Sequence, residues 1–156
     1  MPEIRYNGRW DFFRHEYQTQ WPWILETGKQ MSIADDPVRP ELSLEFRLSH
    51  GREIYSTRGA MVCIAYCNDI PKKVDDLNKM AGLDNAIFYT VWSYRKGAGR
   101  DILTLMLDYF KAEKPWLKRF VTLSPKTEMA HNFHLNNGAV VLQRNRQSVN
   151  YEYILL

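Results

Sequence analysis

The stretch Ala86-Ile87-Phe88-Tyr89-Thr90-Val91-Trp92-Ser93-Tyr94-Arg95-Lys96-Gly97-Ala98-Gly99-Arg100 decides how this chain is read. Residues 86–94 are β-branched, aromatic and apolar, the composition of a strand. The run stops at Arg95-Lys96-Gly97-Ala98-Gly99-Arg100. From Asp101 onward Ile102, Leu105, Met106, Tyr109 and Phe110 recur at helical spacing, and Pro115 closes the pattern. A strand therefore feeds a basic, glycine-containing turn that opens a helix. Gly97 and Gly99 let backbone approach a ligand closely. The first helical turn offers unpaired N–H groups and the positive end of the helix dipole, and Arg95, Lys96 and Arg100 add charge. The expected ligand is a phosphate or pyrophosphate; the alternative is a plain turn. The loop lacks the G-x-x-x-x-G-K-[ST] pattern of nucleotide triphosphatases and the three-glycine dinucleotide fingerprint.

Upstream, residues 60–67 (AMVCIAYC) form a continuous apolar run, expected as a central strand covered on both faces. Residues 71–80 read as a helix with Val74, Leu77 and Met80 on its apolar stripe, Pro71 in its first turn and Gly82 at its end. Leu42, Leu44, Phe46 and Leu48 alternate with polar residues, which predicts a half-buried strand. His50-Gly51 reads as a turn and residues 52–57 as the returning hairpin partner. Residues 31–40 read as a loop, and Asp35, Asp36 and the adjoining Glu41 as solvated. Before it, Trp10, Phe13 and Tyr17 mark a helix over 9–20, and Trp21-Pro22-Trp23 breaks it. Downstream, residues 120–123 are a short buried strand. Ser124-Pro125 opens a turn, 128–135 is a helix stopped by Asn136-Asn137-Gly138, and 139–145 and 148–155 are two antiparallel strands. The order implies a mixed α/β or α+β layer architecture.

The chain has 156 residues, enough for one domain with its own core. Twenty-one Lys and Arg against eighteen Asp and Glu leave +3. That excess is too small and scattered for a nucleic-acid partner, though it tolerates a phosphorylated ligand. Cys63 and Cys67 lie on one short strand where they cannot pair, and no second ligand pair argues for a metal. Both read as buried thiols in a reducing compartment. No apolar run approaches the about 18 residues of a membrane span, and the first residues hold no signal core. A cytoplasmic protein without membrane attachment is the expectation.

The region from about Ala86 to Leu155 resembles the coenzyme A-binding half of the GNAT superfamily of N-acetyltransferases. Tyr94-Arg95-Lys96-Gly97-Ala98-Gly99 matches that family's R/Q-x-x-G-x-G/A loop, with Tyr94 in place of Arg or Gln. Ala130-His131-Asn132-Phe133-His134-Leu135-Asn136-Asn137-Gly138-Ala139 resembles its closing A-x-x-F-Y-x-x-x-G-F helix, with His134 at the Tyr position. A narrower resemblance is to the C-terminal catalytic domain of malonyl-CoA decarboxylases, itself a GNAT fold. It rests on Ala86-Ile87-Phe88-Tyr89 before the loop, on Phe120-Val121-Thr122-Leu123-Ser124-Pro125, on Asn132-Phe133-His134-Leu135-Asn136-Asn137-Gly138-Ala139 and on Val149-Asn150-Tyr151-Glu152-Tyr153. Those enzymes carry a long insertion where this chain has nine residues between Ser124 and His134.

The resemblance implies a single GNAT-like domain over 1–156, with a mostly antiparallel central sheet flanked by helices. Residues 1–40 would be a helical N-terminal part, 41–94 the first strands and 95–156 the cofactor-binding half. It implies that the amides of Arg95, Lys96, Gly97, Ala98, Gly99 and Arg100 cradle the cofactor's pyrophosphate. Val91 and Trp92 would hold the pantetheine arm, Thr127 would contact it, and Trp92 and Tyr94 would line the pocket. His134 would supply a proton, to a leaving thiolate in transfer or to an enolate after decarboxylation. Ser124 would bind the acyl carbonyl or carboxylate; its alternative is a turn or cap residue. Glu45, Glu53 and Glu128 are candidate bases by location only. His15, His50 and His131 read as surface or structural.

The preferred reading is an acyltransferase moving acetyl from acetyl-CoA, or another acyl-CoA, to an amine of a small molecule or protein, with no metal and with a homodimer compatible. The alternatives are a malonyl-CoA decarboxylase-like enzyme using His134 and Ser124, and a non-catalytic acyl-CoA-binding module.

Overall fold

The computed structural model describes residues 5–6, 36–49, 51–57, 59–93 and 95–154. The expected helix over 9–20, the Trp21-Pro22-Trp23 break, His15, His50 and Tyr94 lie outside them. The elements are β1 (Arg5–Tyr6), α1 (Leu44–Leu48), β2 (Glu53–Thr57), β3 (Ala60–Cys67), α2 (Asp76–Lys79), β4 (Asn85–Ser93), α3 (Ala98–Glu113), β5 (Arg119–Thr122), α4 (Glu128–Asn136), β6 (Val140–Arg144) and β7 (Val149–Tyr153). The strands form one open sheet in the order β1-β2-β3-β4-β5-β7-β6. β1 pairs antiparallel with β2, β5 with β7, and β7 with β6, while β4 and β5 are parallel. This is the mixed α+β, mostly antiparallel sheet flanked by helices that the resemblance implies.

Two sequence expectations fail for the same reason: side chains take over backbone hydrogen bonds. Residues 42–48 are not a strand. Ser43 is extended, and its Oγ accepts the Phe46 N–H at 3.1 Å, capping the short helix α1. The residue that alternation sent to solvent, Arg47, is fully buried. Its guanidinium donates to Asp36 Oδ2 at 2.7 Å, to the carbonyls of Arg39 (2.6 Å) and Leu42 (3.2 Å), and to Cys63 Sγ at 3.4 Å. Asp36, expected to be solvated, is therefore the buried partner of an ion pair. β2 pairs with β1 instead of with residues 42–48.

The helix expected over 71–80 shrinks to the single turn α2. The Pro71 carbonyl accepts Asn150 Nδ2 at 2.9 Å, the Lys72 carbonyl accepts Ser148 Oγ at 2.6 Å, and the Lys72 N–H goes to Asp76 Oδ2 at 2.9 Å. Those groups are thus unavailable for a helical ladder. On α3 the buried face is Ile102, Leu103, Met106, Tyr109 and Phe110, with Leu103 replacing the expected Leu105.

The described chain forms two compact units. One comprises Met1–Cys63 and Val91–Met106, and holds the Arg47–Asp36 pair and the glycine loop. The other comprises Ile64–Thr90 and Leu107–Leu156. Its core gathers around Phe110, which meets Phe88 edge-on at 6.1 Å, stacks on Phe120 at 6.0 Å and meets Tyr66 at 6.3 Å. Cys63 and Cys67 are both buried and are not joined in a disulfide, as expected.

Candidate functional site

The second unit brings the polar residues of α4, β5 and β7 together. α4 begins where Thr127 Oγ1 accepts the Ala130 N–H at 3.1 Å and ends before Gly138, whose φ of +94° suits glycine. The Ala139 N–H closes the helix end onto the His134 carbonyl at 3.0 Å. α4 buries one side chain, and it is the imidazole of His134, only 4% exposed. A helix that turns a histidine inward needs partners for it. Tyr153 on β7 supplies one: its hydroxyl lies 2.7 Å from His134 Nδ1. Tyr151, two residues earlier and on the same strand face, stacks on the ring at 5.0 Å, and Phe133 meets it edge-on at 5.1 Å.

Burial pushes the His134 imidazole down from its ordinary 6.5 to about 4, so it is neutral at pH 7. Burial also pushes the Tyr153 phenol up, which keeps its proton on oxygen. Among the described residues the phenol has His134 Nδ1 as its hydrogen-bond partner. Donation from O–H to Nδ1 satisfies both groups. That assignment of the tautomer leaves a proton on Nε2, which takes no hydrogen bond from the described residues. His131 makes a weaker parallel contact, Nδ1 to Tyr151 Oη at 3.2 Å, in keeping with its structural reading.

Ser124 does not share a hydrogen bond with His134. Its Oγ donates to Thr122 Oγ1 at 2.8 Å, and its backbone bridges to Val149. The two sequence-predicted residues are linked through Tyr151, whose N–H donates to Thr122 Oγ1 at 3.0 Å while its ring lies against His134. Here side chains replace a rung of the β5–β7 ladder. Val121 pairs with Glu152 and Ser124 with Val149, but between them the Thr122 carbonyl accepts Asn150 Nδ2 at 2.8 Å. Asn150 is fully buried. Its Nδ2 also reaches the Pro71 carbonyl, and its Oδ1 accepts Gln143 Nε2 at 2.9 Å and Asn145 Nδ2 at 2.7 Å. All its side-chain donors and acceptors are used.

The β4–β5 pairing ends at Phe88 with Thr122, closed by the Leu123 N–H on the Phe88 carbonyl at 2.9 Å. β4 continues through residues 89–93 with no paired β5 residue. Within that stretch Thr90 Oγ1 is buried and has no hydrogen-bond partner among the described residues. An orphaned buried hydroxyl beside the end of a ladder fits a ligand amide or carbonyl that completes it. The glycine loop lies in the other unit. Gly97 has φ of +82°, Arg95, Lys96 and Arg100 are exposed, and Ala98 and Gly99 are buried in the first turn of α3. Val91 and Trp92 are half-buried, and Thr127 spends its hydroxyl on the α4 cap. Of the candidate bases, Glu45 and Glu128 are exposed and Glu53 is buried within β2.

No protein-family model matches this chain, and no curated protein matches it. The fold resembles that of a malonyl-CoA decarboxylase. The crystal structure of malonyl-CoA decarboxylase from Cupriavidus metallidurans superposes with a TM-score of 0.52 at 18% identity. The match covers 69% of this chain and 54% of that one, so this chain spans about half the length of the decarboxylase it matches. At this identity the likeness establishes the fold, and the neighbour is an enzyme named for a coenzyme A thioester.

Sequence reading did not single out Tyr153, Tyr151, Thr122 and Asn150, which the fold gathers around His134 and Ser124, nor the buried hydroxyl of Thr90. Val149-Asn150-Tyr151-Glu152-Tyr153 was visible as a resemblance, but strand tyrosines usually belong to a core. Only the pairing of β7 beside β5 shows which of them meets the imidazole.

Proposed function

We propose that this chain is a malonyl-CoA decarboxylase-like enzyme acting on a coenzyme A thioester. The observation that carries the reading is the buried, neutral imidazole of His134, held at Nδ1 by Tyr153 and uncommitted at Nε2. Decarboxylation breaks the bond between the α-carbon of the malonyl thioester and its carboxylate. Carbon dioxide leaves, and the electron pair passes into the thioester enolate. His134 Nε2–H donates to that enolate as charge develops, in a site dry enough to make the hydrogen bond strong. A proton from water then reaches the α-carbon and gives acetyl-CoA, and the hydroxide left behind is taken up by the released carbon dioxide as bicarbonate. The same negative charge raises the proton affinity of the imidazole, so His134 can exchange its proton during the cycle.

On binding, the Ser124 hydroxyl turns its proton from Thr122 Oγ1 to the substrate carboxylate, and Thr90 supplies a hydroxyl for the pantetheine arm beside the part of β4 that has no β5 partner. The amides of residues 95–100 hold the pyrophosphate, as the GNAT resemblance implies. Acetyl transfer to an amine is the second reading on the same fold. Decarboxylation is favoured because it needs no acceptor and no general base, and no carboxylate touches His134 among the described residues.

The test is mass spectrometry of the protein incubated with malonyl-CoA and, separately, with acetyl-CoA, without an acceptor. Acetyl-CoA arising from malonyl-CoA and lost in His134→Ala supports the reading. No turnover of malonyl-CoA, with acetyl-CoA consumed once amines are added, would replace it with acyl transfer.

A further inference from the structure

Thr122 and Ser124 lie two residues apart where β5 runs on into the Ser124–Val149 bridge, so their side chains share a face. Thr122 is fully buried and Ser124 is 4% exposed. Their hydroxyl oxygens are 2.8 Å apart, and Thr122 Oγ1 also accepts the Tyr151 N–H at 3.0 Å. Asn150 Nδ2 holds the Thr122 carbonyl at 2.8 Å. Thr122 is thus fixed at its carbonyl and at its hydroxyl oxygen, and branching at Cβ leaves it little freedom of its own.

The two hydroxyls carry two protons, and one hydrogen bond joins their oxygens. With Ser124 donating, the Thr122 proton has no acceptor among the described residues. With Thr122 donating, the Ser124 proton has none. Either way one buried donor is left over, which is costly until an outside oxygen accepts it. Ser124 is the more accessible of the two, so the free proton is best presented there. Because Tyr151 donates to Thr122, the Thr122 proton is available to turn toward Ser124.

We propose that Thr122 is a positioning residue for Ser124: when a substrate carboxylate accepts the Ser124 proton, the Thr122 hydroxyl turns and donates to Ser124 Oγ. A directed chain then runs from the Tyr151 N–H through Thr122 and Ser124 to the carboxylate. Each hydroxyl rotates about its C–O bond, and no proton changes oxygen. A hydroxyl that accepts one hydrogen bond donates a stronger one, so Thr122 both aims and strengthens the Ser124 donor. The inference rests on the decarboxylase reading, in which Ser124 meets the carboxylate that malonyl-CoA carries and acetyl-CoA lacks.

The experiment measures kcat/KM for malonyl-CoA, and the inhibition constant of acetyl-CoA as control, in the full chain and its variants. Ser124→Ala is expected to lower kcat/KM about tenfold or more, the worth of a hydrogen bond to a charged group. Thr122→Val is expected to lower it at least about threefold and Thr122→Ser to restore it, with the acetyl-CoA constant unchanged throughout. In a Ser124→Ala background Thr122→Val should cost nothing more, because a residue acting through Ser124 has nothing left to act on. A cost that persists in that background, a shifted acetyl-CoA constant, or no effect of Thr122→Val beside a clear effect of Ser124→Ala would overturn this proposal alone. No malonyl-CoA turnover by the wild type would overturn the decarboxylase reading and this proposal with it. Should Thr122→Val fail to fold, Thr122→Cys, whose thiol is a weak donor and acceptor, replaces it against Thr122→Ser. Equal kcat/KM in those two variants would overturn the proposal as well.

Discussion

Lowering the pH should destabilise the protein through His134 alone by about 3 kcal/mol, and His134→Gln should remove that component. The imidazole falls from 6.5 to about 4 on folding because burial disfavours its cation. At about 1.4 kcal/mol per tenfold change in proton affinity, this amounts to about 3 kcal/mol. The folded state binds fewer protons than the unfolded state between those values. The stabilisation is therefore complete above pH 6.5, declines as pH falls, and is gone by about pH 4. The groups facing the ring are Tyr151, Tyr153 and Phe133, none of which changes charge in this window. Denaturant melts of wild type and His134→Gln from pH 7.5 to 4 isolate the effect, since every other titration cancels in the difference. The two stability curves should converge by about 3 kcal/mol as the pH falls. Parallel curves, or an imidazole NMR titration centred near 6.5, would refute a buried neutral His134 and with it the Nε2–H donor.

Tyr153→Phe removes the hydroxyl that bonds His134 Nδ1. It should cost about 1–3 kcal/mol of stability, and free the tautomer so that kcat for malonyl-CoA falls more than KM rises; steady-state kinetics check it. Thr90→Val deletes a buried hydroxyl without a partner. The free protein should hold or gain up to about 1 kcal/mol while KM for the thioester rises, which thermal melts and kinetics read separately. Asn150→Leu strands the Pro71 and Thr122 carbonyls and should cost about 3 kcal/mol or more, measured by urea unfolding. Asp36→Ala leaves the Arg47 guanidinium buried without its carboxylate and should cost about 3–5 kcal/mol. Arg47→Met should cost clearly less than that in the same urea melts.

The order of the elements from β3 onward could be read from the chain, because apolar runs and helical spacing report one-dimensional preferences that packing then reinforces. β3 occupies the predicted residues 60–67, and α3, α4, β6 and β7 fall within a few residues of expectation. The strand–glycine–helix junction was equally plain, since a β-rich run, Gly97 and Gly99 and a helical period follow one another there. Alternation over residues 42–48 misled because the Ser43 cap and the Asp36 partner of Arg47 are a local side-chain bond and a long-range ion pair, invisible to a period of two. The helix over 71–80 failed because Ser148 and Asn150, far along the chain, claim its first carbonyls.

The sequence singled out His134 and Ser124 through the family resemblance, and the glycine loop through its glycines and cations, which suit a phosphate. Only the tertiary structure decided what His134 is. Folding buries it against Tyr151 and under the hydroxyl of Tyr153, and desolvation there makes a neutral donor of a side chain that water would leave half-charged near pH 6.5.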